Sequence, residues 1–176
     1  MSHCIFCNRT PLESRVFYDQ HNWYAFLTAP PYTKGQTILA LKKRDICPVG
    51  LTAENLYGLD VAIATVSQIL LAHYRPKDIL VASLRGRDPH LHFHLVPLWE
   101  EEEREWRTKS LRKKGYLMEY LGHVEHTAET RIESERAQNG LSEDEHRELL
   151  IPQLQPDIIA LRAMSLYKKD KRKWLS

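Results

Sequence analysis

The chain is short of cysteine, of any excess of charge and of long apolar runs, and each shortage argues against a class of protein. Its cysteines are only three, Cys4, Cys7 and Cys47, an odd count in a chain without an export signal, so a disulfide framework is not expected. They read as thiols, metal ligands or filler. Twenty-five Lys and Arg against 23 Asp and Glu leave a formal charge of +2, which does not predict a polyanion partner. No run approaches the roughly 18 apolar residues of a membrane span, so no membrane partner is expected. The start, Met1-Ser2-His3-Cys4, has neither a basic n-region nor an apolar h-region, which points to the cytoplasm. With 176 residues, 43% of them hydrophobic and 27% charged, the chain has material for one domain with its own core plus an appendage.

What the chain does have is His90-Leu91-His92-Phe93-His94-Leu95-Val96-Pro97, three histidines alternating with bulky apolar residues. On a β-strand successive side chains point to opposite faces, so this spelling puts three imidazoles on one face and Leu91, Phe93 and Leu95 on the other. Pro89 and Pro97 bracket the run, and because proline cannot donate to a ladder they are expected to mark the strand's ends.

Upstream, Cys4-Ile5-Phe6-Cys7 is a CxxC pair that can hold one edge of a tetrahedral zinc site, although a lone pair is a weak signal. Arg15 to Tyr18 and Trp23 to Leu27 are short aromatic and β-branched runs separated by Asp19-Gln20-His21-Asn22, which predicts a hairpin. Turn chemistry from Ala29 to Gly35 precedes a third strand over Gln36 to Leu41. Thr52 is a candidate N-cap, and Leu56, Leu59, Ile63, Val66, Ile69, Leu70 and His73 recur at spacings of three and four, predicting a helix from about Ala53 to Tyr74, ended by Pro76. His73 on its apolar side reads as a hydrogen-bonded core histidine. Ile79 to Leu84 reads as a buried strand. The class is α+β with an antiparallel sheet and one long helix.

After Trp99 the composition turns strongly charged. Residues 1–100 are expected to form the catalytic domain and residues 101–176 a charged helical C-terminal extension. Helical periodicity covers Ser110 to Leu121, Thr127 to Gln138 and Pro156 to Lys169, and Ser142-Glu143-Asp144-Glu145 is a capping box for a further short helix. Pro156 suits a first helical position. Trp99, Trp106 and Trp174 would pin the extension to the domain or to a second subunit. The Lys168 to Lys173 run reads as a solvated helix end or a phosphate or RNA hook.

The stretch His90 to Val96 resembles the motif of the histidine-triad (HIT) family of nucleotide hydrolases and transferases, His-φ-His-φ-His-φ-φ with φ apolar, and Pro97 follows as it usually does there. Trp23 to Leu27, then Pro31 and Gly35, look like the family's first sheet strands, Asp88 to His94 is similar to the form in many small bacterial members, and Cys4-Ile5-Phe6-Cys7 looks like the start of the zinc-containing ones. The resemblance covers about residues 4 to 100. It implies that His92 is the nucleophile towards a nucleotide α-phosphorus, through a transient nucleotidyl-histidine. It implies that His94 stabilises charge at the leaving group, and that His90 either orients the nucleophile or binds metal. Phe26 and Leu27 are the expected base contacts. Arg85 and Arg87, just before the triad, could grip phosphates bidentately, or form a solvated loop.

The sequence departs from the family at Thr28, where an Asp usually holds the ribose, and at Arg44, where a His ligand is usual. Cys47 or Asp45 could replace that ligand, and Cys4, Cys7, Cys47 and His90 would make a reasonable Cys₃His zinc site. The implied partners are a nucleotide substrate, of the dinucleoside polyphosphate, phosphoramidate, aminoacyl or sugar-linked kinds, and a second copy in a homodimer. Two other readings stand beside this one. The first is a nucleotide-binding or metal-stabilised module without turnover, and the second is a nucleic-acid 5′-end processing enzyme that grips with the basic tail.

Overall fold

The aromatic and β-branched runs near the start pair as the sequence predicts. In the computed structural model, which describes residues 4–43, 52–83, 90–100 and 129–172, with backbone alone at residue 54 and residues 166–172, a 3-10 helix over Thr10–Arg15 leads into β1 (Val16–Gln20). A two-residue turn, with His21 at φ 51°, returns the chain as β2 (Trp23–Leu27). β3 (Thr37–Leu41) follows, then α1 (Ala53–Tyr74), β4 (Asp78–Ala82) and β5 (His92–Leu98). Beyond these lie α2, over residues 129–139, and α3 (Glu143–Arg172). The five strands form one antiparallel sheet in the order β1-β2-β3-β5-β4. The α+β class is as expected.

The ends of α1 are set by its sequence. The Asn55 N–H donates to Thr52 Oγ1 at 3.2 Å, and the helix stops at Arg75, which takes the left-handed conformation and donates its N–H to the Leu71 carbonyl at 3.0 Å. Pro76 cannot continue the ladder. Gly35, at φ 81°, lets the chain pass the end of this helix, since a Cβ there would lie 2.7 Å from the Tyr74 ring. Asn55–Tyr74 reaches the length and apolar content of a membrane span, against the expectation from sequence. Its apolar residues have another use, because Ala62, Val66, Ile69 and Leu70 are fully buried against the sheet.

The histidine strand differs from expectation at both ends. It begins at His92, so His90 and Leu91 precede it, and it runs through Pro97, which pairs with Ile79 of β4. The missing donor is tolerated for a topological reason. The β3 ladder ends at the Thr37–Leu95 pair, and the Lys77 N–H bonds the Leu98 carbonyl at 2.9 Å, so Leu98 faces β4 and Pro97 faces the side where the β3 ladder has already ended. The strand expected over Ile79 to Leu84 is shifted, covering Asp78–Ala82.

The C-terminal helices are also partly as read. The capping box forms, with the Glu145 N–H on Ser142 Oγ at 3.3 Å and the Ser142 N–H on Glu145 Oε2 at 2.8 Å. It does not open a short helix, however, and Pro156 is not a first turn: one helix continues through Pro152 and Pro156 to Arg172. Both prolines are exposed and one turn apart, so the carbonyls they strip of donors lie where water can reach. Ile158 and Leu161 of α3 enter the same core as Trp23, Leu27, Leu39, Leu41 and Leu95. Arg162 fastens the helix to β1 through Nε to the Val16 carbonyl at 2.6 Å and Nη2 to that of Glu13 at 3.0 Å. His73 is hydrogen-bonded as expected, with Nε2 2.8 Å from Asp157 Oδ1 of α3. The helix expected over Ser110 to Leu121, Trp106 and Trp174 lie outside the described residues, as do the side chains of the Lys168 to Lys173 run.

Candidate functional site

The period-2 alternation divides the sheet as the histidine spelling requires. Leu91 and Leu95 are buried in the core beneath α1 and α3, and Phe93 packs against it. His90 and His92 lie on the other side, against Phe6. Register extends this face across three strands: His92 pairs with Ala40 and that with Tyr24, while His94 pairs with Ile38 and that with Phe26. The segment before β1 covers it, packing Phe6 and Leu12 with Val16, Tyr24, Phe26 and Ala40.

Hydrogen bonds assign a distinct form to two of the three imidazoles. His90 Nε2 lies 2.6 Å from the Leu41 carbonyl. A carbonyl only accepts, so Nε2 carries the proton and Nδ1 presents a lone pair. That lone pair faces Cys4 Sγ at 3.5 Å and Cys7 Sγ at 3.4 Å. His92 Nδ1 lies 2.7 Å from the carbonyl of His90, so it donates there and leaves Nε2 unprotonated. His94 is half-buried, its ring 5.1 Å from that of His92. Burial first, and then the neighbouring His92, push its pKa down to about 4, so it is neutral at pH 7 and offers one N–H donor rather than a charge.

Cys4, Cys7 and His90 form a group that could hold a metal ion, their three ligand atoms lying within 4.8 Å of one another. Ligands at about 2.3 Å for sulfur and 2.0 to 2.1 Å for nitrogen around a tetrahedral zinc stand about 3.6 Å apart, close to the two distances from Nδ1. The Leu41 carbonyl on the far side of the ring is the outer support that such ligands commonly have. His90 turns its ring Nδ1 towards the two thiols and its backbone carbonyl towards His92 Nδ1. The remaining ligand candidates, Cys47 and Asp45, lie outside the described residues, as does Arg44.

The base-contact pair is split by the sheet. Phe26 lies on the histidine face, 6.4 Å from the Phe6 ring, but Leu27 is its strand neighbour and is buried in the opposite core. Adjacent residues of a strand cannot share a face, and that corrects the placement of Leu27. Arg85 and Arg87 lie outside the described residues. Thr28 turns its hydroxyl to the Gln36 carbonyl at 3.2 Å.

Two residues of this face were missed in the sequence. Phe6 stacks on His92, with ring centroids 4.7 Å apart and planes 27° apart. Its only sequence signal is that it lies between the two cysteines. Arg15 is buried, with Nη1 on the Leu27 carbonyl at 3.0 Å and its guanidinium 5.4 Å from the centre of the Phe26 ring. Burial, reinforced by the nearby Arg147, pushes its pKa down to about 10.

No protein-family model and no curated protein matches the sequence. The folded chain, in contrast, is similar to solved structures. A member of the HIT family from Bacillus subtilis is 20% identical, with 74% of this chain and 97% of that chain covered and a TM-score of 0.53. A HIT family protein from Bacillus anthracis is 21% identical, covering 74% and 97%, with a TM-score of 0.52. A Zn-bound histidine triad family protein from Mycobacterium smegmatis is 19% identical, covering 75% and 96%, with a TM-score of 0.50. At these identities the likeness establishes the fold.

Proposed function

We propose that this chain, whose fold is that of the histidine-triad proteins, is a HIT-type nucleotide hydrolase or nucleotidyl transferase with His92 as its nucleophile. The observation that carries the reading is the Nδ1–H bond from His92 to the His90 carbonyl, which leaves the Nε2 lone pair for attack. Nε2 bonds to the α-phosphorus, and the P–O or P–N bond to the leaving group breaks with its electron pair. The ring then carries positive charge, and the Nδ1–H bond to a carbonyl strengthens as it does so. Neutral His94 donates a hydrogen bond to a non-bridging or leaving-group oxygen. Water or a second acceptor then cleaves the P–N bond of the nucleotidyl-histidine and frees the ring.

Phe26 supplies a base contact, and Arg85 and Arg87 grip phosphates. Cys4, Cys7 and His90 would hold zinc, which would tie the N-terminal segment to the start of the histidine strand. The thiols it needs are those a reducing cytoplasm preserves. Residues 1–100 carry the chemistry, and residues 101–176 extend the domain. A homodimer fits the sheet, since β4 is an edge strand with half-buried Ile79 to Ala82 and such edges pair.

A second reading, nucleotide binding without turnover, is favoured by one observation: Phe6 leaves His92 only 7% exposed. Hydrolysis of an adenosine phosphoramidate and a diadenosine polyphosphate separates the two. The proposal expects turnover of at least one, lost by a factor of 10³ or more in His92→Ala. Unchanged rates in that variant would remove His92 from the chemistry. Tight nucleotide binding with no product from either would establish the second reading.

A further inference from the structure

We propose that Phe6 is a positioning residue for His92, and that metal on Cys4, Cys7 and His90 sets where Phe6 stands. The proposal rests on His92 being the nucleophile. Phe6 lies in a turn closed by the Cys7 and Asn8 N–H groups, each 3.1 Å from the Cys4 carbonyl. Its own carbonyl accepts the Tyr24 O–H at 3.0 Å, and the residue is 4% exposed. The Tyr24 hydroxyl anchors the turn, its two thiols face His90 Nδ1, and Arg9 just after it is tied to Asp19 at 2.7 Å.

An imidazole has two soft torsions, and two contacts restrain this one. The His90 carbonyl holds the Nδ1 edge of His92 at 2.7 Å, and the Phe6 ring covers its face at 4.7 Å. Both contacts come from residues tied to the metal group. His90 gives its ring to the metal and its carbonyl to the nucleophile, and Phe6 sits between the two cysteine ligands. A metal that draws Cys4, Cys7 and His90 together thus fixes both the edge and the face of the attacking ring.

The stack also acts differentially along the reaction. An aromatic face attracts a cation, and the His92 ring gains positive charge as it takes up the nucleotidyl group. Phe6 then favours the transition state over the ground state, so its loss lowers kcat with KM largely kept. A merely structural Phe6 would lower the amount of folded protein and leave kcat per folded molecule alone.

The test compares zinc-loaded full-length wild type, Phe6→Leu and Phe6→Tyr. Phe6→Leu should lower kcat at least 10-fold with KM within about twofold, and Phe6→Tyr, which keeps the ring, should recover most of it. A second arm does not need turnover. With histidine ¹⁵N-labelled, stripping zinc with a chelator should move the His92 ring resonances of the wild type, and restoring one equivalent of zinc should return them. Phe6→Leu should bind zinc at the same stoichiometry with a markedly smaller movement. Unchanged kcat in Phe6→Leu, a rise in KM instead, or His92 resonances indifferent to zinc in the wild type would overturn the proposal. If the wild type turns nothing over, the enzyme reading fails while the resonance arm still decides whether metal and Phe6 hold this ring.

Discussion

The two faces of the sheet are built from alternate residues of the same strands, yet they are secured in different ways. On one face Trp23, Ala25, Leu27, Leu39, Leu41 and Leu95 lie beneath two long helices, and every one is essentially inaccessible. On the other, Tyr24, Phe26, Ala40 and the histidines lie beneath a short N-terminal segment whose polar ties to the sheet include Arg9 on Asp19, Arg15 on the Leu27 carbonyl, the Tyr24 hydroxyl and two thiols beside His90. Both faces are buried, so burial does not distinguish them. What differs is the cover: 22 and 30 residues of helix on one side, and about a dozen residues with a candidate metal group on the other. One face is a core under helices, and the other holds titratable side chains and a group that could hold a metal, under a shorter cover.

The sharpest way to break that contrast is to substitute neighbouring positions of β5. Leu95→Ala on the core face should cost about 2 to 5 kcal/mol through lost burial and a cavity, with turnover per folded molecule retained. His92→Ala also removes a buried ring, stacked on Phe6, and should cost less stability than Leu95→Ala while turnover collapses. Urea unfolding of both variants checks the pair, and a large stability loss in His92→Ala would mean that the histidine face is core as well.

Above the carboxylate range acid should act mainly on the histidine face, with an effect of a few kcal/mol at most. His94 has a folded-state pKa of about 4 against an ordinary 6.5, so as pH falls the unfolded chain takes up the proton first. The stability tied to its neutral form is fully present above about pH 6.5, is lost between 6.5 and 4, and falls no further below that. Unfolding free energies at pH 7, 5.5 and 4.5 should show this slope, and it should flatten in His94→Asn. An equal slope in that variant would assign the acid loss to other groups.

The smallest effect belongs to the helix cover. Ser142→Ala removes an oxygen that accepts the Glu145 N–H and should lower stability by about 1 kcal/mol, with no change in kcat. Thermal unfolding and a rate assay together check it, and altered kcat would mean that the start of α3 reaches the site.

Much of this arrangement could be read in the sequence because it depends on local spacing. The alternation of His92, Phe93, His94 and Leu95 fixed which side each would face, and Thr52 and Pro76 bounded α1. Leu27 was misplaced against the same rule, since Phe26 and Leu27 are neighbours on one strand. Other features depend on contacts that spacing does not encode. Phe6 and His92 meet although they are 86 positions apart. Pro97 stays in its strand only because β3 starts too late to need its donor, a fact of topology. Pro156 read as a first helical position, but it and Pro152 both sit on the exposed side of a helix that Ile158 and Leu161 hold to the core. The tautomers of His90 and His92 follow from the carbonyls of Leu41 and His90, neither of which a residue pattern reveals.

The central claim is that His92 alone among the three histidines becomes covalently modified. Acid-free trapping of the full-length protein with a panel of nucleotide substrates, followed by peptide mass spectrometry, measures it directly. The account predicts a nucleoside-monophosphate adduct on His92 and none on His90 or His94. An adduct on either neighbour, or product formed with no adduct on any histidine under conditions that preserve phosphoramidates, would contradict it.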